Sequence, residues 1–388
     1  MKEQGKSDQA RECYQKAIAV NPNFAEAHGN LGSLLYDQDK FDEAKTTLNK
    51  AISIKPAYAE AHYNLGNVFG QLDNLDEALV CYQTALSHQP DYVECHNNIG
   101  NVYKELGRHD EALASYRKAI SLKPDYAEAI HNQGMLELLK GDLQAGWGNY
   151  NYRLLLEDFT SHHSTIPSVP SHDHSPNLES LTDQKILVWM EQGIGDEIMF
   201  ASMLPDLDEI AKKVAVECDE RVIPIFQRSF PGITFISRGA SSSDELSKGE
   251  FDFQMPAGNL GSLFRTQFST FPENKSFLIP NEALKNRIHE DYRARWPDKL
   301  RVGISWRSGN ITSGTKRSLL LDHWTPILSN EKCRFINLQY GDVEEELGEF
   351  KEKSGIDVFI DPNVDPLKDM ESFAAQVACR HLSGSFSY

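Results

Sequence analysis

The residues best suited to chemistry sit in two loops and one repeating row. In the first loop, Asp196 closes the stretch Glu191-Gln192-Gly193-Ile194-Gly195-Asp196, directly after the apolar run 186–190. Gly193 and Gly195 permit a tight strand-to-helix turn, and the N-terminus of the following helix favours an anion. Ile198 stands where the dinucleotide fingerprint needs its third glycine, so this is not that motif. Two roles fit Asp196: a helix N-cap accepting backbone N–H bonds, or a general base at the carboxyl end of a strand. The second loop runs Arg307-Ser308-Gly309-Asn310 and on to Gly314-Thr315-Lys316-Arg317-Ser318. Its glycines, hydroxyls and cations suit a diphosphate, with Lys316 or Arg317 neutralising charge. A simple exposed basic loop fits the same residues. The row is Asn30, Asn64, Asn98 and Asn132, spaced 34 residues apart. Each carboxamide donates and accepts, so a stack of them suits an extended peptide backbone of any sequence. Solvent-facing asparagines of a repeat would look identical.

That spacing is the period of the whole first third. Gly32, Gly66, Gly100 and Gly134 recur at it, as do Ala44, Ala78 and Ala112, Ala51, Ala85 and Ala119, and Pro22, Pro56, Pro90 and Pro124. Small residues belong where two antiparallel helices approach closely, and Leu31, Leu65 and Ile99 fill the gap beside the glycines. Proline ends the second helix of each pair. Gly5, Asp39, Asp73, Gly107 and Gly141 fall at the turns within the pairs, where a left-handed residue is wanted. A 34-residue period of helix pairs is a tetratricopeptide array, a superhelix whose concave face is the usual binding surface. His28, His62 and His96 share the period and read as packing or surface groups, since their spacing converges on no metal. Only residues 1–4 precede the turn expected at Gly5. The first repeat is therefore expected to lack nearly all of its first helix, through clipping or fraying.

After Gly134 the pattern drifts into aromatic residues around Trp147, Tyr150 and Tyr152, the expected docking cap against the next domain. Residues 160–184 are rich in Ser, Pro and His and read as a linker, with His162, His163, His172 and His174 solvated or weakly metal-binding. From residue 185 short β-rich runs alternate with helical stretches, the pattern of a parallel sheet covered by helices. Strands are expected at 186–190, 214–218, 233–237, 251–255, 301–306, 333–339 and 356–360. Helices are expected near 196–212, 220–229, 257–264, 281–296, 319–329, 343–353 and 367–378. Two Rossmann-like units fit this order, and ligands of such sheets sit at the carboxyl ends of strands. The expected domains are a solenoid over 1–155, a linker over 156–184, and α/β units over 185–298 and 299–388.

Composition bounds the rest. The 388 residues carry 39 Lys+Arg against 57 Asp+Glu, a formal net charge of −18. That argues against nucleic-acid or anionic-membrane surfaces, while leaving room for a small basic pocket. The apolar runs are too short to span a bilayer, and the polar start resembles no signal peptide. Six scattered cysteines read as reduced thiols, so a cytoplasmic location is expected.

The stretch 186–196, running into Phe200-Ala201 and Leu204-Pro205, resembles the opening of heptosyltransferase-like glycosyltransferases. Val302-Gly303-Ile304-Ser305-Trp306-Arg307-Ser308-Gly309-Asn310, with Lys316-Arg317-Ser318, resembles the start of their second domain. With repeats in front, the whole is similar to relatives of the O-linked N-acetylglucosamine transferases. That resemblance implies a GT-B fold, inverting and metal-independent, using a nucleotide-diphosphate sugar as co-substrate and no bound cofactor. Asp196 would be the base, with Gly193, Gly195, Arg307, Lys316 and Arg317 near the donor. An asparagine ladder would hold a polypeptide or glycan acceptor. The family pattern continues into an apolar strand where this chain reads Cys379-Arg380-His381 and ends at Tyr388. The second α/β unit is therefore expected to be incomplete, as in a truncated or frameshifted product. A non-catalytic repeat scaffold is the alternative function.

Overall fold

The computed structural model describes residues 2–156, 177–238, 251–273, 276–307 and 318–379. The four linker histidines, residues 308–317 with Lys316 and Arg317, and the 380–388 tail lie outside the described residues. The chain divides into two compact units. One comprises residues 1–164 with 265–270, and the other comprises 165–264 with 271–388.

The first unit is a run of helices: α1 (Lys2–Val20), α2 (Ala25–Asp37), α3 (Phe41–Ile54), α4 (Ala59–Gln71), α5 (Leu75–His88), α6 (Val93–Glu105), α7 (His109–Leu122), α8 (Ala127–Lys140) and α9 (Leu143–Tyr150). Helices pair where glycine lets them meet. A Cβ on Gly66 would stand 2.5 Å from Tyr82 Cε1, and one on Gly100 2.5 Å from Tyr116 Cε1. The gap above Gly66 and Gly100 is thus filled by an aromatic ring of the following helix, that above Gly32 by Leu48 and that above Gly134 by the backbone of Asn149 and Tyr150, and not chiefly by the neighbouring leucines. Asp39, Asp73, Gly107 and Gly141 have positive φ at the turns. The expectation at Gly5 is corrected: α1 runs unbroken through it. Tyr14 and Ile18 of α1 pack on the cluster that contains Ala25, Leu31 and Leu48. His28, His62 and His96 each bond through Nε2 to the carbonyl of Pro22, Pro56 and Pro90 at 3.0, 2.9 and 2.9 Å. A carbonyl only accepts, so Nε2 carries the proton. These rings pin the turns between pairs. At the far end the Trp147 indole donates to the Arg265 carbonyl (3.0 Å), and Phe268 lies over Gly141.

The second unit holds two parallel sheets. The first contains β1 (Lys185–Trp189), β2 (Lys213–Cys218), β3 (Thr234–Ser237) and β4 (Phe253–Pro256) in the order β3-β2-β1-β4. Ile186 pairs with Val214 on one side and Phe253 on the other. The centre of β1 is buried on both faces, as a helix-covered parallel sheet requires. The helix expected over 196–212 is two helices, Ile194–Ala201 and Leu204–Ile210. Pro205 at the start of the second supplies no backbone donor and ends the first.

The second sheet pairs β5 (Leu300–Ile304) with β6 (Cys333–Asn337), Val302 opposite Phe335. The strand expected over 356–360 is reduced to one bridge, Ile336 to Phe359. Alternation sends Phe335 into a cluster with Ile304, Trp306, Leu321 and Leu347, and Ile336 into one with Ile288, Tyr292 and Ala375. Helices Glu282–Arg295 and Met370–Ala378 cover that second face, and the Tyr292 hydroxyl donates to Asp361 (2.7 Å) while accepting from Gln376 (2.7 Å).

Candidate functional site

In the strand order β3-β2-β1-β4 the chain reverses direction between β1 and β4, so the carboxyl ends of those strands flank the switch point. The loop after β1 stands there. Its left-handed residue is Gln192 (φ 64°), not a glycine, which corrects the role expected of Gly193 and Gly195. Both glycines are exposed, and a Cβ on either would meet nothing within 4 Å. They leave the loop's surface low and open. Asp196 is the third residue of its helix rather than the N-cap, because the helix begins at Ile194 and Gly193 takes the cap position. Its Oδ2 reaches back to the Gly193 amide at 3.4 Å, and the residue stays half-buried.

Two neighbouring carboxylates fix this loop and carry no signal in the local sequence. Glu191, fully buried, accepts the Gly258 amide at 2.6 Å and so joins the loop after β1 to the turn after β4. Glu197, also fully buried, accepts the Asp219 amide at 3.0 Å and pairs with Arg238, joining the ends of β2 and β3. Burial pushes the Glu197 carboxyl above its usual range against the opposing pull of the Asp219 amide and Arg238. Asp219 is held low, first by the Arg221 guanidinium at 2.7 Å. Arg238 also donates to the Met190 carbonyl at 3.1 Å. Nothing in local spacing identifies these pairs, since each closes across 22 to 67 residues.

At the carboxyl end of β5, Arg307 is exposed, with Nη2 donating to the Asp342 carbonyl (2.7 Å) and Nε 3.5 Å from Glu346. The organiser here is Gln339, 1% exposed. Its Oε1 accepts from Ser305 Oγ, the Trp306 amide and the Arg307 amide at 2.9, 3.1 and 3.0 Å. Trp306 Nε1 donates to Glu346 at 2.8 Å. Arg307 is therefore set by β6 and the following helix. An apolar cavity of about 460 Å³ lies among Ile198, Ile225, Leu278, Met370, Phe373 and Val377. It offers packing volume without acid–base chemistry.

The asparagine row divides. Asn30 is exposed and Asn64 half-buried, and neither side chain takes part in a hydrogen bond among the described residues. Asn98 donates to the Tyr63 hydroxyl (3.2 Å) and to Asn67 Oδ1 (2.9 Å), and its own Oδ1 accepts from Asn97 (3.3 Å). Asn132 donates to Asn97 Oδ1 at 3.0 Å. The structure thus keeps the first two carboxamides open and ties the last two into an internal network. Sequence reasoning misses the partners Asn67 and Asn97, although Asn67 recurs 34 residues on as Asn101. Among the described residues no cluster of His, Cys, Asp and Glu has the makings of a metal site. No helix among them is long and apolar enough to cross a membrane.

Comparison with known proteins places the array. A family model described as tetratricopeptide repeat matches residues 57–125, and one described as TPR repeat matches 2–39 and 32–73. The chain is 28% identical over 272 residues to protein FlbA of Caulobacter vibrioides, covering 64% of this chain and 43% of FlbA. The chain thus spans under half the length of the curated relative it matches, and a match of that extent runs past the helical array. Among solved structures, MamA is 27% identical, covering 42% of this chain and 95% of MamA, with a TM-score of 0.36. YrrB, described as a TPR protein with an unusual peptide-binding site, is 22% identical, covering 40% of this chain and 81% of YrrB, with a TM-score of 0.33. A GT-B fold and the glycosyltransferase resemblance find no support in these matches. What they support is narrower: residues 2–125 are tetratricopeptide repeats.

Proposed function

We propose that the repeats hold an extended polypeptide and that the α/β unit transfers a sugar to it from a nucleotide-diphosphate sugar. The observation that carries the first part is the pair Asn30 and Asn64, open and unpaired one repeat apart. A free carboxamide facing solvent costs no desolvation in the empty state and offers both donor and acceptor to a backbone amide. Binding of this kind is largely indifferent to ligand side chains. Full-length protein titrated with arrayed extended peptides should show affinity that falls about tenfold in the Asn30→Ala, Asn64→Ala double variant. Unchanged affinity would remove the row from the site.

The second part is supported by the position of Asp196 at a switch point, beside two glycines that leave room for a ligand. In the proposed step an Asp196 oxygen takes the proton of the acceptor hydroxyl as that oxygen attacks the anomeric carbon. The bond from that carbon to the diphosphate oxygen breaks, and the nucleoside diphosphate leaves with the electron pair. Arg307 stands at the carboxyl end of β5, where a donor phosphate of such a sheet would lie, and Lys316 and Arg317 would share that charge. Transfer from a labelled UDP-sugar should drop at least a hundredfold in Asp196→Ala. Absence of any nucleotide-sugar binding at millimolar concentration would leave a repeat scaffold without catalysis.

A further inference from the structure

The asparagine row lies on the first helix of each pair, α2, α4, α6 and α8. A groove of about 370 Å³ lies elsewhere, along α5, the second helix of its pair, and against Phe69 of α4. Phe69 follows Asn64 by five residues, about 140° round the helix, so it faces another side of the array. Val80 and Cys81 line the groove, with Asp76 and Glu77 beside them. Val80 is 62% exposed in the middle of its helix. The same two positions hold Thr46 and Thr47 one repeat earlier, and Ala114 and Ser115 one repeat later. Thr46 and Thr47 turn their hydroxyls to the carbonyls of Asp42 and Glu43, at 2.9 and 2.8 Å. Burial, with Glu77 close by, pushes the Cys81 thiol up to about 11, so it stays neutral and packs as a small apolar group.

The carboxylates change from repeat to repeat as well. Asp110 pairs with Lys140, and Glu111 pairs with Arg108 at 2.9 Å. Leu106 and Asn74 stand where those two cations would be one repeat earlier. Neither Asp76 nor Glu77 has an ion-pair partner among the described residues. Lys45 of α3 spends its ammonium on the Phe69 ring, 5.2 Å from the centroid. The middle repeat alone thus joins an exposed apolar wall to two exposed, unneutralised carboxylates.

We propose that this groove is a docking surface for a partner protein, and that the segment it takes carries an arginine or lysine beside an aliphatic residue. The aliphatic side chain covers Val80 and Cys81, while the cation reaches Asp76 and Glu77. Charge complementarity decides the occupant. An acidic segment would meet like charge, and a purely apolar one would strip water from both carboxylates without replacing it. The chain's net charge of −18 steers basic partners toward such a site. This surface is separate from the asparagine row and from the sugar-transfer reading.

The test titrates the full chain into a fluorescein-labelled peptide of alternating leucine and arginine at physiological salt, followed by anisotropy. Asp76→Asn with Glu77→Gln should weaken binding about tenfold. Val80→Thr, which installs the residue of the preceding repeat, should weaken it about threefold. Asp42→Asn with Glu43→Gln removes equal charge from the preceding repeat and should change affinity less than about twofold. All five side chains are exposed, so thermal unfolding should stay unchanged. Asn30→Ala with Asn64→Ala should bind this peptide as the wild type does, which separates the outcome from that of the polypeptide reading. No binding at millimolar peptide, an equal loss in both acidic pairs, or full affinity in Val80→Thr would each overturn the proposal.

Discussion

In the helical array a residue's partner lies at a fixed offset, and in the α/β unit it does not. Tyr82 finds Asn67 and Tyr116 finds Asn101 fifteen residues back, and each of three histidines finds a proline carbonyl six residues back. In the α/β unit Glu191 closes on Gly258 across 67 residues, and Arg228 on Glu371 across 143, at 2.6 Å for the shorter of its two bonds. The contrast is one of construction. A stack of helix pairs repeats its contacts because each pair meets only its neighbours. A parallel sheet orders strands by crossovers, and its loop contacts follow strand order in space. Periodicity therefore exposes the array's interactions and conceals those of the sheet.

Substitutions put that contrast to the test. The largest effect is expected at a helix crossing. Gly100→Val places atoms inside the Tyr116 ring and should destabilise the array by about 3 kcal/mol in urea unfolding followed by helical circular dichroism. A loss under about 1 kcal/mol would show that the crossing relaxes. Next comes Gln339→Ala, which strips one acceptor from three donors at the end of β5. A cost of about 2 kcal/mol is expected, together with weaker effects of any anion on Arg307. Tyr82→Phe and Tyr116→Phe remove equivalent bonds in successive repeats. Each should cost about 1 kcal/mol, and a clear inequality between them would contradict the equivalence of the repeats.

A pH experiment probes the sheet alone. The folded Glu197 carboxyl sits above its unfolded value, so between the two the native state binds more protons and stability declines as pH rises. Asp219 and Asp357, held low by Arg221 and by Lys351 with Arg334, contribute stability that is lost as pH falls through their folded values. Subtracting the unfolding profile of Glu197→Gln from that of the wild type should therefore leave a component that falls with pH above about 4.5, the ordinary value for a glutamate. A flat difference would remove the burial argument. The smallest effect is expected at Gly195→Ala, which meets open space on the first turn of a helix and should change stability by about 0.5 kcal/mol at most. A larger loss would mean that the loop is tighter than its geometry shows.

The row of asparagines and the loop around Asp196 are both legible in the sequence, yet in different depth. For Asn98 the residue type and period are plain, but its saturation by Tyr63, Asn67 and Asn97 needs α4 and α6 in place side by side. For Asp196 the strand-to-helix setting is plain, while the cap position goes to Gly193 and the left-handed conformation to Gln192. The strand near Phe359 looks sound by composition and forms a single bridge, because sheet pairing depends on a neighbour's register as well as on residue type.

Local sequence alone sets the 34-residue helix pairs, their turns at Asp39, Asp73, Gly107 and Gly141, and the parallel character of the α/β half. Those follow from steric rules that act within a few residues: where a left-handed φ is allowed, where a Cβ fits, and which runs are apolar throughout. Long-range packing settles which carboxamides stay open, which carboxylates are buried at the strand ends, and that Gln339 sets Arg307. Hydrogen-bond saturation and desolvation depend on groups distant in the chain arriving at one place, and no local pattern encodes that arrival.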